Sequence, residues 1–529
     1  MKRGWLAGCF ALLISFGTAQ EGEFADPVVV DKRTPLAQPP TKRLAPNAPA
    51  RVIDLPATVT PPPDWEGYNR PFFVAGYVAP APPNLVQDIR WTRYDDGAGT
   101  RGQVGVLVLR SQGAKALRVR FSGGRWEPEV QLRVFDPVGG YAFPVDLPIW
   151  DEKGDWWTTI IFGNQIGLEF FVPDWVEKPF IPDITAIAYH FAGPGIVQSD
   201  FEPTSGCPLN DVSCYPDLRN SAALAVCMLG FISGGSVSGF CSGAAIGRNP
   251  ADTGTPAPIV MTARHCVGTQ TDANATVFVW DYFTPSCNGT PPNPNTLPRS
   301  NGSLLLKQHQ GSDWSLLGSY QPTAAEVYLG WDTAYVSGGT TLTAISHPMS
   351  PAPPGGAYMR VAFAQKTGDT TCGAVGGSQT WQVRWTNSTI RQGSSGSALL
   401  DSANRVRGTA SCATSCILVD PKCCPPSPNA LGFYGRFDVA FPIVQWYLSN
   451  MANPTYVNLA VSGDPGNGGN TERGTSANPF NTVYEGTFCV PTGGTVLIAP
   501  GNYNERFRLW RPMRLERSGT SGVVRIGAP

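Results

Sequence analysis

The sequence predicts an all-β chain whose central part is a double β-barrel. Three observations carry that expectation. Glycine (59) and proline (50) together exceed a fifth of the 529 residues, so turns are frequent and the apolar runs between them are too short for long helices. Apolar and polar residues alternate with period two, as in Leu117, Val119 and Phe121 against Arg118 and Arg120, and Val130, Leu132 and Val134 against Gln131 and Arg133, the pattern of strands with one buried face. Only 442–448 reads as a helix, with Pro442 tolerated in its first turn.

Taken in order, residues 1–19 form a secretory signal peptide: Lys2 and Arg3, an apolar stretch centred on 10–14, then small residues Gly17 and Ala19. A lipoprotein box at Leu6-Ala7-Gly8-Cys9 is the lesser alternative, because it precedes the apolar core instead of following it. No later apolar run is long enough to span a bilayer. The expected location is therefore extracellular or periplasmic. Residues 20–65 are proline-rich, ending in Pro61-Pro62-Pro63, and read as an extended linker. Residues 66–195 read as a β-sandwich-like unit without cysteine, and Gly193-Pro194-Gly195 marks its end.

The next unit, 204–452, carries strand-like runs at Ala244-Ala245-Ile246, Ile259-Val260-Met261, 276–280, 314–317 and 381–385 before the terminal helix. Many short strands closed by one helix suit a double barrel. Residues 453–529 begin with a glycine- and asparagine-rich tract and continue as one or two rungs resembling a parallel β-helix, too few to bury a core unaided. A small appendage, docked or poorly ordered, is expected there.

Composition removes several function classes. Charged residues are 15% of the chain and the formal net charge is −1, so no broad attraction to nucleic acid or anionic lipid follows. Signal removal takes Cys9 and leaves twelve cysteines, an even number in an exported chain, which points to disulfides. Structural zinc is disfavoured because no histidine lies near Cys412, Cys416, Cys423 and Cys424, and adjacent cysteines present tetrahedral ligands poorly. No metal and no organic cofactor is implied.

The motifs that carry chemistry are Gly393-Ser394-Ser395-Gly396-Ser397 and Thr262-Ala263-Arg264-His265-Cys266. A serine hydroxyl is a weak nucleophile near neutral pH and needs an imidazole within hydrogen-bond reach. Of four histidines, only His265 stands in a recognisable setting; His190, His309 and His347 are expected to be structural or superficial. An orienting carboxylate between them is supplied by Asp313, directly before the apolar run Trp314-Ser315-Leu316-Leu317, with Asp332 beside a glycine as the competitor. Asp313 is favoured. The glycines around Ser395 allow a tight turn in which the amides of Gly393 and Ser395 converge on a developing oxyanion. Gly519-Thr520-Ser521-Gly522, which no histidine follows, is read as a turn. An α/β-hydrolase is excluded because position 397 is serine where its nucleophile elbow needs glycine, and because its histidine comes last.

As a set, Gly206-Cys207, Cys241-Ser242-Gly243, the histidine motif, Asp313-Trp314, Gly330-Trp331-Asp332, Ser346-His347-Pro348, the Ser395 loop and Tyr434-Gly435-Arg436 resemble trypsin-fold bacterial endopeptidases of the lysyl endopeptidase type, over about 207–450. The resemblance implies a chymotrypsin-like double barrel, a His265–Asp313–Ser395 triad, and protein or peptide substrates. It also implies bridges Cys241–Cys266, Cys214–Cys287, and Cys207 with Cys412 or Cys416. The 66–195 unit would be a propeptide acting as intramolecular inhibitor or chaperone. Gly432 and Ser411 would line the specificity pocket.

Two departures from that family stand out. Lysine-specific members carry an aspartate two residues before the Tyr-Gly-Arg motif, where this chain has Gly432; without it a buried lysine ammonium would be unpaired. No Lys or Arg occurs between Lys178 and Arg219, so self-cleavage at the junction would need an apolar or aromatic preference, with Ile196 or Phe201 as junction residues. Ser394 stands where the animal digestive enzymes use an aspartate to receive an inserted N-terminal ammonium. The alternative from another class is an exported adhesin that keeps the protease fold without catalysis.

Overall fold

The computed structural model describes residues 22–30, 36–55, 72–87, 89–124, 129–145, 155–177, 179–193, 207–252, 256–349, 357–414, 424–461, 472–505 and 507–527. The expected junction residues Ile196 and Phe201, together with Cys416, lie outside them.

Two barrels form the centre. In the first, Val226–Ser233, Val237–Ala245, Ile259–Ala263, Val277–Trp280, Arg299–Asn301, Ser303–His309 and Trp314–Ser319 pair antiparallel. The ring closes where Gly302, at φ +70°, bends the chain between two of these strands. In the second, Thr341–Ser346, Arg360–Cys372, Ser378–Asn387, Leu431–Arg436, Arg405–Ala413 and Ala398–Leu400 form a closed ring. Trp381, Val383 and Trp385 alternate inward from one of its strands, the period-two burial expected of a barrel wall. This is a chymotrypsin-like double barrel, as the sequence predicts.

The helix runs from Phe437 to Leu448, five residues longer at its start than expected, so Pro442 lies inside it and not in its first turn. The early start has a packing cause: Phe437 is fully buried against Trp314 and Trp331, with ring centroids 5.0 and 5.8 Å away.

The N-terminal unit is two sheets. One carries Arg101–Arg110, Gln131–Phe135, Tyr141–Val145 and Gln165–Pro173; the other carries Ala116–Ser122, Asp183–His190 and Phe73–Pro80. Phe121 and Phe170 meet between them, 6.3 Å apart. Parts of the expected linker are strands instead. Phe24–Ala25 pairs with Gly330–Asp332, Val28–Val29 with Val327–Tyr328, Thr41–Lys42 with Tyr141–Val145, and Ala50–Asp54 runs parallel to Arg101–Arg110. A proline-rich stretch can lie along an edge because an edge strand leaves alternate N–H groups unused.

The C-terminal part is docked. Its strands Thr455–Val457, Thr495–Ile498 and Arg514–Arg517 pair in parallel, as do Gly501–Tyr503 and Val524–Ile526. The helix Val483–Cys489 is buried along its whole length. Gly519 and Gly522 have φ of +80° and +86°, as a turn requires. Among the described residues no helix is long and apolar enough to cross a membrane.

Candidate active site

The strand Ile259–Ala263 of the first barrel delivers His265 into the turn that follows it, and Asp313 immediately precedes the neighbouring strand Trp314–Ser319. The two strands are hydrogen-bonded with Ala263 opposite Trp314, which brings the imidazole and the carboxylate together. Asp313 Oδ2 lies 2.7 Å from His265 Nδ1, and Oδ1 accepts a bond of 3.0 Å from the His265 backbone N–H. The carboxylate therefore fixes both the ring and its peptide. The two side chains are only 6% and 3% exposed. His265 Nε2 is buried without a hydrogen-bond partner, which leaves its lone pair available to an incoming hydroxyl proton.

Ser395 belongs to the second barrel, in the loop before Ala398–Leu400. That loop is pinned to the first barrel by one residue, Ser242. The Ser242 N–H donates to the Ser395 carbonyl at 2.7 Å, and its hydroxyl donates to the Gly393 carbonyl at 2.9 Å while accepting from the His347 N–H at 2.9 Å. Gly396, at φ +84°, faces Thr262, the Ser242 carbonyl and the Ala263 amide so closely that any Cβ would overlap them. This sets the Ser395 loop against the strand that leads to His265. Behind it, Gly396 N–H donates to Ala410 O at 2.9 Å and Ala410 N–H to Ser397 O at 2.8 Å. Ser394 is buried and shares a 2.9 Å bond with Ser346, so hydroxyls occupy the place where an aspartate would demand a cation.

The competitor Asp332 is elsewhere, 3.1 Å from Arg407 and 3.8 Å from Arg405. The other histidines are tied into the fold. His190 Nε2 meets Ser238 Oγ at 3.0 Å, His309 Nδ1 meets Ser312 Oγ at 2.8 Å, and His347 Nδ1 meets Ala357 O at 2.7 Å. Burial pushes His190 down to about 3 and His347 down to about 4, so both stay neutral.

Four disulfides are present among the described residues. Cys241–Cys266 joins a strand to the histidine turn, and Cys214–Cys287 is as expected. Cys207 pairs with Cys424, and Cys412 with Cys372, which corrects the expected bridge from Cys207 to Cys412 or Cys416. The bulge between Ala410 and Cys412 leaves Ser411 unpaired, and Cys372, at the end of the long strand Arg360–Cys372, comes within 6.6 Å of Cys412 between Cα atoms. Cys227 and Cys489 are buried free thiols. His265 lies close to Cys241 and Cys266, but both sulfurs are committed to one another, which leaves no thiolate for a metal.

Gly432 and Ser411 are on adjacent strands of the second barrel, Leu431–Arg436 and Arg405–Ala413. Space at Gly432 is closed by Trp385: a Cβ there would stand 2.7 Å from the indole Cζ2. The indole N–H is buried without a partner. Sequence reading missed the roles of Trp385 and Ser242. The Cys241-Ser242-Gly243 triplet was visible as a motif, yet nothing local assigns its hydroxyl to a loop about 150 residues away.

Residues 203–420 match the family model of the lysyl endopeptidase C-terminal domain. That span is a relative of the trypsin-like serine proteases. No curated protein matches the sequence. Among solved structures, the chain is similar to two forms of an HtrA-type protease, AlgW. The form with a tripeptide has 17% identity, with 44% of this chain and 62% of that one covered and a TM-score of 0.29. The form with a decapeptide has 15%, 44%, 66% and 0.30. The MamO protease domain from Magnetospirillum magneticum has 18% identity, 42% of this chain and 98% of that one covered, and a TM-score of 0.28. The chain thus spans less than two thirds of the length of either AlgW structure.

Proposed function

We propose that the chain is an exported serine endopeptidase that acts through an acyl-enzyme on Ser395. The observation that carries this reading is the buried His265–Asp313 pair, 2.7 Å apart, with His265 Nε2 unpartnered beside the loop of Ser395. Ser395 Oγ attacks the scissile carbonyl carbon while His265 Nε2 takes the hydroxyl proton, and Asp313 holds Nδ1–H and the imidazolium that forms. The oxyanion is received by the amides of Gly393 and Ser395. The C–N bond breaks as His265 returns the proton to the leaving amine, and a water molecule then releases the acyl group by the same steps.

Gly432 and Ser411 belong to the specificity pocket in this reading. Trp385 packs against Gly432 from the barrel core and leaves no room for an acidic side chain there, so the proposed preference is for apolar or aromatic side chains. A lysine ammonium would lose its hydration there without gaining a counter-charge. The N-terminal unit serves as a folding template for the barrels, the chaperone half of the propeptide expectation.

Active-site labelling tests the assignment against the adhesin alternative. A fluorophosphonate probe is expected to label the purified chain, and Ser395→Ala to abolish labelling; an unlabelled native chain would leave only the binding-protein reading.

A further inference from the structure

A detachable inhibitor and a permanent subunit bury different kinds of surface, and the contact between the N-terminal unit and the barrels is of the second kind. The strand Phe73–Pro80 lies between Asp183–His190 of its own unit and Val237–Ala245 of the first barrel. One hydrogen-bonded sheet therefore runs out of the sandwich and into the barrel wall. The barrel strand takes this neighbour closely: a Cβ at Gly239 would stand 2.9 Å from Phe73 O.

Side chains seal the same contact with polar groups that would lose their partners on separation. Arg118, predicted from its alternation to face water, is 1% exposed and donates through Nη1 to Ala275 O of the barrel unit at 2.7 Å. Asn295 of the barrel unit accepts from Phe162 N–H at 3.0 Å and donates to Phe162 O at 2.7 Å, as a strand neighbour would. Around them Ala75, Ala116 and Ile160 share one apolar core with Met228, Phe240 and Val279. Exposing such a core together with unpaired buried donors and acceptors is unfavourable on both counts. A second attachment is made where Phe24–Ala25 and Val28–Val29 extend strands at Gly330–Asp332 and Val327–Tyr328, with Asn249 Nδ2 donating to Phe24 O at 2.8 Å.

We propose that residues 22–193 are a permanent strand-donating subunit of this protein, which stays bound to the 207–527 unit when the connection between them is cut. Removal of the N-terminal unit is then no part of activation. The assembly does not rest on the catalytic reading and can be tested without it. Between Cys9 and Cys207 the sequence has no cysteine, so no disulfide can hold the pieces together and any association is noncovalent.

The experiment uses the full chain carrying Ser395→Ala, which removes self-cleavage, with a recognition site for a site-specific protease substituted within residues 196–202. After complete cutting, verified on a denaturing gel, the two fragments are expected to co-elute in size exclusion at the volume of the uncut chain. Less than about a tenth of the N-terminal fragment should separate at micromolar concentration. Elution of that fragment on its own in native buffer would overturn the proposal. If the inserted site prevents folding, hydrogen exchange on the unaltered chain decides the question. Amides of Phe73–Pro80 should exchange as slowly as those of Val226–Ser233 in the first barrel, and exchange faster by about 100-fold or more would show an N-terminal unit that opens independently.

Discussion

Asp313 has φ 55° and ψ 41°, a left-handed conformation that aspartate and asparagine tolerate and most other residues do not. That makes Asp313→Asn a clean test of the charge. The asparagine can keep the backbone and still accept from the His265 N–H, but its amide N–H₂ would face Nδ1 as a donor. The imidazole proton is then driven to Nε2, which can no longer take the Ser395 proton. Peptide hydrolysis should fall by about 10⁴-fold in kcat with little change in melting temperature, whereas Asp313→Ala should lose stability as well, by about 1 kcal/mol from backbone strain. Activity and thermal melts of the two variants, run side by side, check the separation.

Specificity is also decided by single residues. Because Trp385 fills the space in front of Gly432, Gly432→Asp alone should lower stability without creating cleavage after lysine. Adding Trp385→Leu should make room for the carboxylate and raise cleavage after lysine by about tenfold or more, equivalent to ~1.4 kcal/mol. A peptide library read by mass spectrometry distinguishes the outcomes; lysine cleavage already dominant in the native chain would contradict the pocket described above.

Among elements, the helix Val483–Cys489 shows what sequence reading reaches and where it stops. Strands with alternating burial, the Ser395 loop and Asp313 before its strand are local patterns, and each was legible because its cause lies within a few residues. The docking of the tail is not local. Glu505 accepts from the amides of Val483 and Tyr484, both at 2.8 Å, at the start of the helix, which satisfies donors that no helical carbonyl reaches. At its other end Arg511 donates to the carbonyls of Thr487, Phe488 and Val490, and Arg248 to those of Phe488 and Val490. Asp252 stands against both guanidiniums, 3.1 Å from Arg511 and 3.6 Å from Arg248, and offsets one of their two charges. Asp252 and Arg511 are 259 positions apart in the chain, and no periodicity marks such a partner. Arg118 and the strands within 22–54 escaped for the same reason, since each is defined by a partner on a distant segment. Arg511→Ala should remove carbonyl caps and the nearer of Asp252's two cationic partners. The expected cost is about 3 kcal/mol, seen as a lower melting temperature, while Arg511→Lys should recover part of it.

At the scale of the whole molecule, two buried histidines and a buried carboxyl pull stability in opposite directions as pH changes. His190 is buried where the N-terminal sheet meets the first barrel, and His347 lies behind the Ser395 loop; desolvation by burial lowers both. An unfolded chain binds protons at these sites below its ordinary histidine value of about 6.5, whereas the folded chain does not until about 3 for His190 and about 4 for His347. Their neutral burial therefore costs nothing above the ordinary histidine value and costs increasingly as pH falls from about 6.5 toward the folded values. Glu485 acts in the other direction. It is buried where the tail helix meets Phe437–Leu448, accepts from Tyr447 Oη at 2.8 Å, and is pushed up to about 8 by desolvation. Folded Glu485 keeps its proton through a range in which the unfolded carboxyl has lost it, so stability falls as pH rises from about 4.5 to 8. Removing one arm should tilt the profile predictably. Glu485→Gln keeps an acceptor for Tyr447 without the charge, and relative to the native chain its stability should increase with pH across that window, by about 1.4 kcal/mol per unit at most. His190→Gln should show the opposite tilt, gaining on the native chain as pH falls from about 6.5 to 4. Thermal melts of the three proteins at matched ionic strength between about pH 4 and 8 measure both slopes. Parallel profiles would mean that neither buried group changes its protonation on unfolding.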